Sequence, residues 1–184
     1  LKKNGYKNVG GEWYECTVED LKSAILSVKS RSQMDSQRSE SFKLRPEQKI
    51  AIINKKKFFK SQKVNSKKPS HFLWNAKMRF GKTFAAYQLA KKMDWQRILV
   101  LTFLPAVQNA WEDDLKLHVD FKDWQFISKD GKKYNEINKK KPFVCFGSFQ
   151  DFLGKNKSGN IKNKNEWAHE INWDCIILDE YHFG

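Results

Sequence analysis

No apolar run in the 184-residue chain approaches the ~20 residues that a membrane-spanning helix needs, and no signal peptide is visible, so no membrane is expected among its partners. Cysteine is scarce: Cys16, Cys145 and Cys175 lie far apart, form no CxxC pair and are odd in number. That argues against a zinc site and against a disulfide framework. Cys145 and Cys175 sit inside apolar runs and read as buried small hydrophobes, which fits a reducing cytoplasm. Acidic residues are outnumbered, 21 against 35 basic ones, leaving a net charge of +14. Such an excess attracts polyanions such as nucleic acid, although a solvated lysine surface would give the same count. An opening methionine is missing too; Leu1 stands first, and the chain is expected to be cut from something longer. Disorder throughout is excluded by a hydrophobic content of 40% and an aromatic content of 14%. The length suits one domain with a real core and some appendage.

One further absence bears on chemistry. The stretch "NAKMRFGKTF", Asn75 to Phe84, ends like a phosphate-binding loop, with Gly-Lys-Thr opening a helix. Where the pattern GxxxxGK[ST] asks for its first glycine, the chain has Ala76. Alanine lacks only the freedom at positive φ and is the smallest alternative. In such a loop the backbone N–H groups of residues 76–81 and the helix N-terminus hold phosphates. Lys82 would reach the outer phosphates, the Thr83 hydroxyl would ligate magnesium, and Gly81 would permit close backbone approach. A chance turn would look the same if the loop stood alone.

The surroundings decide its meaning. Residues 1–30 hold a basic start and a helix introduced by Thr17 and Asp20, with Leu21, Ala24, Ile25 and Val28 at helical spacing. Residues 31–41 are almost without apolar side chains and read as a linker. Pro46 suits the first turn of a second helix, with Ile50, Ile53 and Phe58 as its expected buried face. Phe72–Trp74 is expected as a short strand, Asn75–Phe80 as a turn, and Thr83–Met93 as a helix burying Ala86, Leu89, Ala90 and Met93. "RILVLT", Arg97–Thr102, is a continuous apolar strand of the type buried on both faces. A helix over 106–119, strands over 124–127 and 142–147, and a lysine- and asparagine-rich loop over 155–165 follow. Apolar strands alternating with helices predict an α/β fold, a mostly parallel sheet covered by helices, with ligands at the carboxyl ends of its strands.

At the end of the last such strand, Cys175–Leu178, stand two carboxylates, Asp179 and Glu180. Paired carboxylates at a strand's carboxyl end are the expected partners of a phosphate loop: Asp179 to hold magnesium, Glu180 to orient or deprotonate the attacking water. On the residues alone, a P-loop ATPase of another class and a nucleic-acid-binding module without catalysis stay open as alternatives.

"DEYH", Asp179–His182, resembles the D-E-x-H box of superfamily 2 helicases and translocases. "LRPEQ" (residues 44–48) lies where these proteins carry an adenine-recognising glutamine, here Gln48. "ILVLTFLPAVQNAW" (98–111) and "VCFGSFQDF" (144–152) resemble the family's next strand-to-helix motifs, with Ser148 and Gln150 near the nucleic-acid track. The M-R-F-G-K-T form of the loop is similar to that of restriction-type helicase subunits, in which the first glycine is not always kept. The resemblance covers about residues 42–184. It implies an N-terminal RecA-like, ATP-binding lobe of a DNA helicase or translocase from a restriction or phage-defence system. The implied cofactors are ATP and Mg2+, the nucleotide site Gln48, Ala76, Lys77, Met78, Arg79, Phe80, Gly81, Lys82 and Thr83. Glu180, Asp179 and His182 are the implied catalytic set, with His182 coupling nucleotide state to nucleic acid. Implied partners are double-stranded DNA, a second RecA-like lobe and restriction or modification subunits. That second lobe with its arginines would lie beyond this chain, so weak ATP hydrolysis is expected of it alone. The first 30 residues are also similar to the tail of a GIY-YIG-type nuclease family, in which Glu12 would match a metal-binding carboxylate.

Overall fold

A computed structural model describes residues 5–11, 13–30, 38, 40–62, 69–77, 79–154 and 165–180. Its centre is a parallel sheet of β3 (Arg97–Thr102), β4 (Gln125–Ile127), β5 (Phe143–Ser148) and β6 (Cys175–Asp179), in the order β4-β5-β3-β6. Parallel neighbours require crossovers, and helices supply them. Before the sheet come a hairpin, β1 (Asn8–Gly10) with β2 (Trp13–Tyr14), then α1 (Val18–Ser30) and α2 (Pro46–Ser61). α3 (Lys82–Met93) leads into β3, and the crossover helices are α4 (Gln108–Leu117), α5 (Phe149–Leu153) and α6 (Glu166–Glu170).

The period-two alternation of strand side chains builds two cores. On one face Ile98, Val100, Val144, Phe146 and Phe126 pack against Phe84, Tyr87 and Ala90 of α3 and Trp111 and Leu115 of α4. On the other, Leu99, Leu101, Cys145, Phe143 and Ile127 meet Phe152 of α5 and Ala168 of α6. β3 and β5 are thus covered twice, as their unbroken apolar sequences predict. The approach of α5 to β5 is close: a Cβ at Gly147 would lie 2.0 Å from the Phe152 ring. Burial pushes the Cys145 thiol up to about 12, in keeping with an inert core position; Cys175, also read as buried, is half-buried and its thiol is likewise pushed up to about 12. β6 is different. Ile176 and Leu178, which point to the second face, are 55% and 49% exposed.

The expected start of the first helix holds. α1 opens with a reciprocal cap, in which the Asp20 N–H donates to Thr17 Oγ1 (3.1 Å) and the Thr17 N–H to Asp20 Oδ2 (3.0 Å). Hydrogen bonds from the Thr17 backbone, the Tyr6 hydroxyl and the Thr17 hydroxyl hold the Asp20 carboxyl below its ordinary range. Its stripe of Leu21, Ile25 and Val28 stays exposed among the described residues. Within the expected linker, Arg38 is buried and donates to the carbonyls of Leu115 (2.6 Å) and His118 (2.8 Å), satisfying the C-terminal end of α4. That helix ends at Leu117, two residues earlier than expected, because His118 turns out of it to accept from the Asp120 N–H and bond the Phe42 carbonyl.

Two expectations fail. The buried side of α2 is not Ile50, Ile53 and Phe58: Ile50 and Ile53 are exposed, and Gln48, Ile52 and Lys55 are buried instead. The helix is rotated so that Gln48 can reach the phosphate loop. Phe72–Trp74 forms no strand either. Its aromatic rings pack on α2 and on the loop: Phe72 against Phe58 (5.1 Å) and Trp74 against Phe80 (5.9 Å). The Lys55 ammonium sits over both rings, 4.7 Å from Phe72 and 4.4 Å from Trp74, and burial holds its pKa below the usual lysine range.

Candidate nucleotide-binding site

The parallel register brings three strand ends level. Thr102 of β3 stands opposite Ser148 of β5 on one side and Asp179 of β6 on the other. Asp179 therefore closes the carboxyl edge of the sheet, and Glu180 follows immediately with φ 49. A left-handed conformation at a residue other than glycine carries strain of about 1–2 kcal/mol; strain of this kind clusters at functional sites.

The phosphate loop reaches this edge from the other direction. Gly81 is the N-cap of α3 with φ 75, and no side chain caps the helix, leaving the first-turn N–H groups to an outside acceptor. Arg79 also sits at φ 61. Ala76 is not among the residues at positive φ, so the position that the glycine pattern marks does not need glycine here. Lys82 and Thr83 are the first two residues of α3. Lys82 Nζ stands 2.9 Å from Glu180 Oε1, with the side chains 41% and 27% exposed. Two motifs 98 positions apart in the chain thus meet in one ion pair.

Sequence reasoning left out two of the residues that hold this geometry. Arg45 donates to the Arg79 carbonyl (2.8 Å) and to the Phe80 carbonyl. Beside it Gln48 donates to the carbonyls of Phe80 (2.7 Å) and Gly81 (3.4 Å), while its own carbonyl accepts from the Arg45 N–H (2.9 Å). A Cβ at Gly81 would stand 2.7 Å from Gln48 Nε2, so this glycine serves both a left-handed turn and a close side-chain approach. The second is Trp111, whose indole N–H donates to Asp179 Oδ2 at 2.8 Å. Its signal in the sequence was slight: it ended one of the helicase-like stretches.

Of the expected site residues, Gln48, Phe80, Gly81 and Lys82 are joined by these contacts and Asp179 and Glu180 close the other side. Ala76 is half-buried in the loop and Lys77 and Arg79 are exposed. Ser148 does not offer its hydroxyl outward: it accepts from the Asp151 N–H (3.1 Å) and donates to the Asp151 carboxylate, capping α5. Gln150 is exposed. Met78, His182 and Glu12 lie outside the described residues.

The donor set suits a magnesium nucleotide. A lysine and an uncapped helix N-terminus favour phosphate, and oxygen donors such as the Thr83 hydroxyl and the Asp179 carboxylate favour a hard cation. Among the described residues no group of three or more His, Cys, Asp or Glu side chains forms a cation cage by itself.

Compared with known families, residues 41–184 match the family described as type III restriction enzyme, res subunit. The chain belongs to that family. The res-subunit match accounts for the parallel sheet as a RecA-like lobe. The chain is also 36% identical over 148 residues to a Mycoplasma pneumoniae protein named as the C-terminus of a type II restriction enzyme and methyltransferase. The match takes in 76% of this chain but 20% of that protein, so the chain spans about a fifth of its curated relative. No solved structure gives a significant match. No helix among the described residues is long and apolar enough to cross a membrane.

Proposed function

We propose that residues 42–184 form the ATP-binding and hydrolysing lobe of a DNA helicase or translocase. In this reading residues 31–41 are a linker, and residues 1–30 are the tail of an upstream unit. The observation that supports it most is the ion pair between Lys82, on the open N-terminus of α3, and Glu180, beside the Asp179 that ends β6. Lys82 and the backbone of residues 76–81 would hold the phosphates. Thr83 and Asp179 would hold Mg2+, which when bound shields phosphate charge. Glu180 would leave Lys82 and orient or deprotonate a water. His182 would couple the site to nucleic acid. Both ends of the Gln48 amide are already bonded inside the protein, so adenine recognition by Gln48 requires those bonds to exchange as nucleotide enters.

The family match supports reading this motor as part of a restriction system, with double-stranded DNA, a second RecA-like lobe and modification subunits as the partners to expect, in the cytoplasm. The lysine excess would meet DNA phosphates without reading sequence, giving binding that weakens as salt rises.

Titration calorimetry of the chain with ATP and Mg2+ tests the reading. Lys82→Ala removes a part-exposed charge from the first residue of α3 rather than from the core, so it should weaken ATP binding while circular dichroism stays unchanged. Equal affinity in the variant would remove the basis for the assignment.

A further inference from the structure

We propose that Trp111 is a positioning residue for the Asp179 carboxylate, and that its indole N–H is needed for tight binding of the magnesium form of the nucleotide. This rests on the reading of Asp179 as a metal-holding group.

Asp179 is held by two donors from different elements. The Trp111 indole N–H, on α4, binds Oδ2 at 2.8 Å, and the Glu180 backbone N–H binds Oδ1 at 3.1 Å. A carboxylate offers about four lone-pair sites, so one donor on each oxygen fixes the group's plane and leaves capacity for a cation. An indole N–H only donates. It cannot compete for the cation.

Trp111 is itself immobilised. It is 2% exposed, its carbonyl accepts from the Tyr87 hydroxyl at 2.8 Å, and the two rings meet edge to face at 5.3 Å. Tyr87 belongs to α3, the helix that begins with Lys82 and Thr83. One chain of contacts therefore runs from the phosphate-loop helix through Tyr87 and Trp111 to the end of β6. It ties the distance between the phosphate-binding and cation-binding halves of the site to the packing of the core. A buried indole needs some acceptor in any case. What separates service to the fold from service to the site is which property fails when the N–H is removed.

Trp111→Phe keeps an aromatic ring in the core and deletes the donor. ATP affinity is measured by calorimetry with Mg2+ and again with EDTA. The expected result is a roughly tenfold loss with Mg2+, the low end for removing an outer partner of a metal ligand, and a change of less than about twofold without it. An equal loss under both conditions, or none under either, overturns the proposal. A spectroscopic readout needs no nucleotide. The Trp111 indole resonance, assigned through its contacts to the Tyr87 ring, should move upfield in Asp179→Asn, because a neutral acceptor bonds more weakly than an anion. A resonance that does not move shows that the bond is not made, and this test stands even if Trp111→Phe fails to fold. If the unaltered chain binds ATP no better with Mg2+ than with EDTA, the magnesium-nucleotide reading fails and this inference with it. A normal unaltered chain with an unaffected variant sinks the inference alone.

Discussion

The phosphate loop and the carboxylate strand meet at Lys82 and Glu180, but different forces hold them there. Asp179 is placed by a backbone ladder: β6 pairs with β3 from Cys175 to Asp179, and moving it means dragging Ile177 and Cys175 out of the core. The loop has no ladder among the described residues. It is tied by the Arg45 and Gln48 side chains of the second helical segment, and bent by left-handed turns at Arg79 and Gly81. Those bonds can be exchanged one at a time without unfolding anything. The carboxylate half is thus the fixed reference, and the loop is the half that nucleotide can remodel.

The sharpest way to break that comparison is at the junction. In the full-length protein, Glu180→Gln keeps the shape of the side chain and removes its basicity. ATP hydrolysis, read as phosphate release with duplex DNA present, should fall by about 10²–10⁴-fold, the range for losing a general base. ATP binding should survive, since the group is a poor phosphate ligand and its loss frees Lys82. Hydrolysis at the normal rate would remove Glu180 from the chemistry.

The next effect separates loop from strand. Gly81→Ala puts a side chain into a left-handed turn and into the Gln48 amide at 2.7 Å. The turn alone is expected to destabilise by about 1–2 kcal/mol, roughly 2–8 °C in Tm at ~2–4 °C per kcal/mol. ATP affinity should drop as well. Gly147→Ala, which forces a Cβ against Phe152 across the sheet, should lower Tm by a similar or larger amount through overpacking of about 1–3 kcal/mol. It should leave ATP affinity nearly intact, because Phe152 lies in the core opposite α3 and α4. Thermal melts with parallel calorimetry would show whether the two glycines separate in this way.

Smaller still is Arg45→Ala. Its guanidinium is half exposed and pairs with Glu47 (3.3 Å) as well as with the loop carbonyls. Net stabilisation from such bonds is about 1 kcal/mol, so ATP affinity should weaken by roughly fivefold with little change in Tm. Arg45→Lys should restore part of it. A large fall in Tm would mean that Arg45 braces the fold rather than the loop.

The uneven legibility of the sequence follows the same division. β3, β5 and β6 were readable because a strand buried on two faces, or ending in carboxylates, announces itself in a run of residues. Phe72–Trp74 has the same look but spends its aromatic rings on the second helix and the loop, and a local apolar run carries no record of which neighbour it will choose. The face of α2 was misread for a related reason: Ile50 and Ile53 mark a stripe, yet the helix turns Gln48 and Lys55 inward to partners 32 residues and more than 15 residues away. Trp111 shows the limit. Its hydrogen bond spans 68 positions and exists only once the sheet register is set.

The smallest effect is expected at Ala76, the apparent flaw in the phosphate-loop pattern. If the loop needed a glycine there for its turn, Ala76 would sit at positive φ under strain, and Ala76→Gly would relieve it and tighten ATP binding. Among the described residues the left-handed positions in this loop are instead Arg79 and Gly81, and Ala76 has an ordinary backbone angle. Glycine at 76 therefore gains no conformation that alanine lacks. It does widen the unfolded ensemble, which destabilises by about 0.4–1 kcal/mol, or roughly 1–4 °C in Tm at ~2–4 °C per kcal/mol. The expected outcome is a slightly less stable protein with ATP affinity unchanged within about twofold. A tenfold tighter complex in calorimetry would show that the loop must adopt a different backbone around phosphate, with residue 76 at positive φ in the bound state. The division between a fixed strand and an adaptable loop would then extend to the first residue of the motif.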